Sequence, residues 1–301
     1  MATIYTHASE NIRKTWFLLL FFGIFIIGLG WLFSHIYGDP NILYIAAAIA
    51  IFQSGFSYWF SDSIALALAG AHPIEKRDNP ELYRLVENLS IAAGLPLPKI
   101  YITEDAQPNA FATGRDKNHA VVAVTRGLLA RLDKNELEGV IAHELSHIGN
   151  KDMLLQTIVV VLVGVVAIIS DWFLRFSLWG GRRSDDRDRG QLDLILLAFG
   201  IVAALLAPLA ATMIQLSISR KREFLADASA ALLTRYPEGL ARALQKISSD
   251  PSPMRSVNDA TAHLYIASPF RGKQVGSWFN KLFSTHPPIE DRVKALMEMA
   301  V

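Results

Sequence analysis

The chain reads as a membrane protein, mainly α-helical with a small antiparallel sheet, and three observations predict this. Long runs without a charged residue recur along it, Trp16 to Phe33 and Ile42 to Phe60 among them. Hydrophobic residues make up 51% of the sequence and charged residues only 19%, against roughly 25% charged in an ordinary soluble domain. Between the apolar runs lie short stretches rich in Ile and Val, bounded by turn residues, of strand length. The 301 residues suffice for one large domain or two small ones. A formal net charge of +1 points to no nucleic-acid partner, and the absence of cysteine excludes disulfides and thiolate metal ligands.

The first run, WFLLLFFGIFIIGLGWLF, approaches the roughly 30 Å hydrocarbon core of a bilayer at about 1.5 Å per residue. Arg13 and Lys14 precede it, but it is too long for a signal peptide and no small-x-small cleavage site follows, so a retained membrane helix is expected. Gly38-Asp39-Pro40-Asn41 separates it from Ile42 to Phe60. Leu154 to Ser170 and Leu192 to Ile218 form a second pair, uncharged apart from Asp193. The competing reading, helices buried in a soluble core, weighs more for this second pair. The resulting division is a membrane hairpin over 1–60, a first water-facing part over 61–153, a second hydrophobic hairpin over 154–218 and a second water-facing part over 219–301.

Positive charge flanks the first hairpin on one side only. Arg13 and Lys14 come before it and Lys76 and Arg77 after it, while Ser34 to Pro40 holds no Lys or Arg. The positive-inside rule then puts the water-facing parts of this multi-pass protein in the cytoplasm. The connector GGRRSDDRDRG at 180–190 strains this rule, which leaves two options: the second hairpin does not cross fully, or the earlier helices dominate the topology.

Asn79-Pro80-Glu81 gives a helix N-cap, a proline at the first helical position and an acid in the first turn; Leu82, Leu85, Val86 and Leu89 follow at helical spacing and Gly94 ends the segment. Lys99 to Thr103, Asn109 to Thr113 and Ala120 to Val124 read as strands of the antiparallel sheet, with Gly114 to Asn118 as a turn.

His143, Glu144 and His147 make H-E-x-x-H within IAHELSHI at 141–148. Residues four apart share one helical face, so both imidazoles can turn a nitrogen to one Zn²⁺, with Glu144 adjacent as general base. Asp133 and Glu136 predict a capping box at the start of this helix, and Gly149-Asn150 predicts its stop. A chance match on a core helix competes with this reading, but two histidines and a glutamate buried without a metal would be costly. A third ligand must be Asp, Glu or His. Glu223 and Asp227, four apart, let Glu223 bind the metal while Asp227 hydrogen-bonds a ligand histidine; an ordinary solvated helix start is the alternative.

HELSHIGNKD at 143–152, REFLADASA at 222–230 and THPPIEDR at 285–292 resemble the HtpX family of membrane zinc proteases, relatives of the CAAX prenyl proteases. The resemblance implies a gluzincin-like protease domain preceded and interrupted by membrane hairpins, with one Zn²⁺ held by His143, His147 and Glu223. It further implies a location in the inner (plasma) membrane and stress-linked quality control, in which misfolded or damaged membrane proteins are cleaved on the cytoplasmic side. Pro108 to Ala112 matches the family's N-A-F segment, so Asn109, Ala110 and Phe111 are expected to bind substrate backbone on an edge strand. Asn109 as a simple turn residue remains open. His286 and Arg292 match H-P-x-x-x-x-R, with His286 a candidate oxyanion donor, or merely the start of the last helix, and Arg292 near the site.

Three other readings stand beside this one. A CAAX-type prenyl-peptide protease would share the motifs. A site-2-type intramembrane protease would need its motif inside an apolar span and an L-D-G partner, whereas Lys134, Glu136, Glu138, Lys151 and Asp152 flank this one. A non-enzymatic scaffold with structural zinc would need a fourth protein ligand. Expected partners are the lipid bilayer and unfolded or membrane-protein substrates; self-association stays open.

Overall fold

The two N-terminal apolar runs form a helical hairpin in the computed structural model, which describes residues 4–180, 213, 219–252, 254, 260–267, 269 and 287–299. Helix α1 spans Ile4–Tyr37 and α2 spans Asn41–Leu68. Gly38 turns the chain between them with φ +69°, a left-handed conformation that glycine adopts without steric cost. The two helices pack along a seam that includes Leu18, Phe22 and Ala50. Their outer faces do not pack against protein: Leu20 is 66% exposed, Ile51 75% and Phe52 72%. So much contiguous apolar surface needs a lipid solvent. Among the described residues, α1 over Asn11–Ile36 and all of α2 are each long and apolar enough to cross a membrane.

Strand β1 (Ala71–Pro73) follows, then α3 (Pro80–Ala92), β2 (Lys99–Thr103), β3 (Ala110–Thr113) and β4 (Val121–Thr125). Helix α3 has the anatomy its sequence predicts: the Asn79 side chain accepts from the Leu82 amide at 3.1 Å, and Leu82, Leu85, Val86 and Leu89 are buried. The sheet departs from expectation. Its order is β1-β2-β4-β3, and β2 and β4 run parallel, so it is mixed rather than antiparallel. The strands do alternate in direction along the chain, but β4 inserts between β2 and β3. The all-apolar stretch Val121–Val124 belongs at the centre, where both faces are covered, and this leaves β3 at the edge.

The sheet separates two cores. Phe111, Val121 and Ala123 face Leu18, Phe22, Leu155, Ile158 and Val159 of the membrane-side cluster. Ala110, Ala112, Val122 and Val124, one residue out of phase, face Leu85, Val140, Ile141 and Leu145.

After the short α4 (Arg126–Arg131) comes α5 (Lys134–Gly149), the helix of the H-E-x-x-H motif. Its capping box is present: Glu136 N–H donates to Asp133 Oδ1 at 3.0 Å and Asp133 N–H to Glu136 Oε2 at 2.9 Å. Asn150 caps its C-terminus, and α6 (Met153–Gly180) departs after a bend of 87°. Helices α7 (Arg220–Thr234), α8 (Pro237–Ser249) and α9 (Ile289–Glu298) complete the described chain. Helix α8 approaches α5 closely at Gly139, where an added Cβ would lie 2.7 Å from the Leu240 amide nitrogen. The fourth apolar run at 192–218, apart from Met213, and the arginine-rich connector after Gly180 lie outside the described residues.

Candidate metal centre

One helical turn separates His143 from His147 on α5, and their Nε2 atoms converge to 3.2 Å. Glu223, in the first turn of α7, brings Oε2 to 3.7 Å from His143 Nε2 and Oε1 to 3.7 Å from His147 Nε2. These donor atoms all lie within 4.8 Å of one another and all three residues are buried. Tetrahedral zinc with ligands at about 2.0–2.1 Å would hold its donors roughly 3.3 Å apart, so two imidazoles and a carboxylate at these separations fit the ion. Glu144 is buried beside them, 2% exposed.

Each histidine presents Nδ1 to a carboxylate behind it. Asp227, one turn beyond Glu223 on α7, lies 3.0 Å from His143 Nδ1. Arg292 on α9 grips Asp227 with two hydrogen bonds, Nε to Oδ2 at 2.8 Å and Nη2 to Oδ1 at 2.6 Å. The Arg292 side chain is fully buried, Nη1 is 3.9 Å from Glu223, and Nη2 is 3.5 Å from the His143 ring nitrogens. Asp227 thus faces a ring nitrogen of His143, and Arg292 lies behind it.

The carboxylate behind His147 has no place in the sequence reading. Asp152, in the bend between α5 and α6, lies 3.1 Å from His147 Nδ1. Asn11 of α1 donates Nδ2 to Asp152 Oδ1 at 2.7 Å. Arg222 donates to Asn11 Oδ1 and places Nε 3.7 Å from Asp152 Oδ1. Asp152 is the last residue of the HELSHIGNKD segment, so it was in view, but nothing in its local sequence announces a partner 141 residues away.

The electrostatics differ at the two histidines. Burial pushes His143 down to about 4; the Asp227 hydrogen bond opposes this and the Arg292 charge reinforces it. Burial also works against a charge on His147, but the Asp152 hydrogen bond and the Glu223, Asp152 and Glu144 carboxylates together lift it to about 9. Burial disfavours the Asp227 carboxylate too, yet Arg292 holds it below the usual carboxylate range. Positive charge is thus favoured at His147 and disfavoured at His143.

Strand β3 begins beside this centre. Asn109 clamps the backbone of Ala267, with Nδ2 donating to Ala267 O at 2.8 Å and Oδ1 accepting from Ala267 N at 3.3 Å. Ile266 N–H donates to Ala110 O at 3.0 Å, so the outward backbone of Ala110 is engaged by the chain itself. Phe111 points into the membrane-side core with its ring against Tyr265. By strand alternation Ala112 is the next residue whose backbone faces outward. His286 lies outside the described residues.

The chain resembles known proteases over its whole length. It is 44% identical over 304 residues to a protein named Protease HtpX homolog from Thermoanaerobacter pseudethanolicus, covering 99% of each chain. It is 47% identical over 290 residues to the Pyrococcus furiosus protein of the same name, covering 96% of each. The crystal structure of S. mikatae Ste24p superposes with a TM-score of 0.49 at 20% identity, over 94% of this chain and 67% of that one. The family model for peptidase family M48 matches residues 76–300, which takes in α5, α7 and Arg292, and the chain belongs to that family.

Proposed function

We propose that this membrane metalloprotease is a zinc endopeptidase in which His143, His147 and Glu223 hold the metal and Glu144 is the general base. The observation that carries the reading is the convergence of two Nε2 atoms and one carboxylate from α5 and α7, at spacings that suit tetrahedral zinc. Among the described residues three protein ligands converge, rather than the four of a closed structural site, which favours catalysis. A zinc ion held there supplies Lewis acidity toward the scissile carbonyl and lets water act as a nucleophile near neutral pH. Glu144 takes the proton from the attacking water and delivers it to the leaving amine. Asp227 and Asp152 keep both Nε2 atoms aimed at the ligand position by holding each Nδ1.

The substrate lies extended along β3, the edge strand of the sheet. Asn109 and Ala110 shape that edge through their contacts with Ala267 and Ile266, and pairing continues at Ala112. Backbone pairing gives affinity with little selectivity for side chains, which suits misfolded or damaged membrane proteins as substrates. His286 donates to the developing oxyanion. The placement of Arg13, Lys14, Lys76 and Arg77 about the first hairpin supports a site on the cytoplasmic face of the plasma membrane.

Casein cleavage by the detergent-purified chain, with zinc supplied, tests the reading. Glu144→Gln should lower the rate by about 10²–10⁴-fold while retaining one zinc per chain. His143→Ala should lose both metal and activity. Equal cleavage by wild type and Glu144→Gln would overturn the assignment.

A further inference from the structure

A cavity of about 320 Å³ lies between Asn11 to Trp16 of α1, the first turn of α6, Tyr58 of α2 and the turn that follows β3. We propose that it binds the phosphate headgroup of an anionic phospholipid.

Depth is the first argument. The apolar span of α1 begins at Asn11, and Trp16, on the cavity wall, is five residues further in, roughly 7 Å at about 1.5 Å per residue. That is the headgroup–acyl boundary, where Trp and Tyr concentrate. Trp16 stacks on Tyr58 at 6.2 Å between ring centroids, and both line the cavity.

Charge is the second. Arg115, Lys117 and Lys151 line the cavity from two separate segments, against a single carboxylate, Asp116. Asp116 is shared between two partners: both its oxygens lie 2.9 Å from Nδ1 of His119, and Oδ2 lies 3.8 Å from Arg115 Nε, so Lys117 and Lys151 carry the cavity's excess positive charge. The Arg115 guanidinium is held 4.8 Å over the Trp59 ring and donates to the Trp59 carbonyl at 3.5 Å, which fixes a cation at the level of the aromatic belt. Lys151 adopts φ +58°, a left-handed conformation uncommon for a residue with a long side chain. The bend that imposes it carries Asp152 inward to His147 and leaves Lys151 exposed at the cavity mouth. Cations beside a membrane surface attract anionic lipids.

The walls decide between a lipid and a free phosphate. Ile12, Trp16 and Leu154 form an apolar floor that suits a glycerol backbone and the first acyl carbons but offers nothing to a hydrated ion. The site also adjoins the metal centre, because Asn11, which lines the cavity, donates to Asp152 behind His147. The inference needs the membrane setting and does not depend on the proteolytic reading.

The test is native mass spectrometry of the full-length chain released from detergent containing equal phosphatidylglycerol and phosphatidylcholine. Wild type should retain one phosphatidylglycerol in preference to phosphatidylcholine. The combined Arg115→Gln, Lys117→Gln and Lys151→Gln variant should lose that preference by roughly tenfold or more, on the basis of about fivefold per cation. The charge-preserving Arg115→Lys, Lys117→Arg and Lys151→Arg variant should keep it. If the glutamine variant loses its helical circular dichroism, Lys117→Gln alone, on an exposed turn, carries the test with a several-fold loss. Undiminished retention by a folded glutamine variant, or no headgroup preference in wild type, would overturn the proposal. Displacement of the lipid by millimolar inorganic phosphate would overturn the lipid assignment in favour of a soluble phosphate.

Discussion

His143 and His147 are neighbours on one helix, each backed by a carboxylate that is in turn held by other polar groups, yet the two supports are built from different parts of the molecule. Behind His143 stand Asp227 and Arg292, from α7 and α9 of the water-facing body. Behind His147 stand Asp152, from the bend leading into α6, and Asn11, from the first membrane helix. Arg292 places a positive charge against His143, whereas His147 sees mainly carboxylates, and the two are driven to about 4 and about 9. The imidazole–carboxylate unit is the same in both. Arg222 stands near Asp152 as Arg292 does near Asp227, so what differs is the charge around each ring. Burial and the Arg292 guanidinium hold His143 down, whereas against the same burial the Asp152 hydrogen bond and the Glu223 and Glu144 carboxylates lift His147.

The largest effect is expected from breaking the His143 support at its outer member. Arg292→Ala leaves Asp227 buried without its bidentate partner, and removal of one member of a buried pair costs about 3–5 kcal/mol. The thermal midpoint of the detergent-solubilised chain should fall clearly. An unchanged midpoint would mean that Asp227 is not held as described.

A smaller effect, and a direct comparison, comes from Asp227→Asn and Asp152→Asn. Loss of a carboxylate behind a ligand histidine typically weakens metal binding by about 10–100-fold, measurable by competition with a chelator. Asp227→Asn should be the worse of the two because Arg292 bonds Asp227 directly through two hydrogen bonds, whereas Arg222 stands 3.7 Å from Asp152. Equal losses would erase the distinction between the supports.

The mildest change is Asn11→Ala. It removes the 2.7 Å donor to Asp152 but leaves Arg222 within 3.7 Å. A single unmade hydrogen bond of this kind costs on the order of 1–3 kcal/mol, so metal affinity should drop several-fold with helix content unchanged. Wild-type affinity in this variant would show that the membrane helix contributes nothing to the centre.

These supports also mark where sequence reasoning succeeds and fails. Asp133 and Glu136, Asn79 and Pro80, the apolar runs of α1 and α2, and the i, i+4 pairs His143/His147 and Glu223/Asp227 all act within a turn or a span, so their spacing announces them. Strand order depends on which non-neighbouring segment is most apolar, and the insertion of β4 between β2 and β3 was invisible to a reading that paired neighbours. Strand β1 was missed because Ala71-His72-Pro73 is too short to show alternation and follows directly on the second span. Asn11 and Asp152 meet across 141 residues, and Arg222 meets Asn11 across 211. No local pattern encodes such a contact; only the fold creates it.

The two-faced sheet has a practical consequence. Freeing the protease from detergent by cutting away residues before β1 would strip Phe111, Val121 and Ala123 of the α1 side chains that cover them. It would also take Asn11 from Asp152. A water-soluble version of this enzyme would therefore need a replacement lid for one side of its sheet, designed together with a new donor for the aspartate, because the anchor and the catalytic body share a wall.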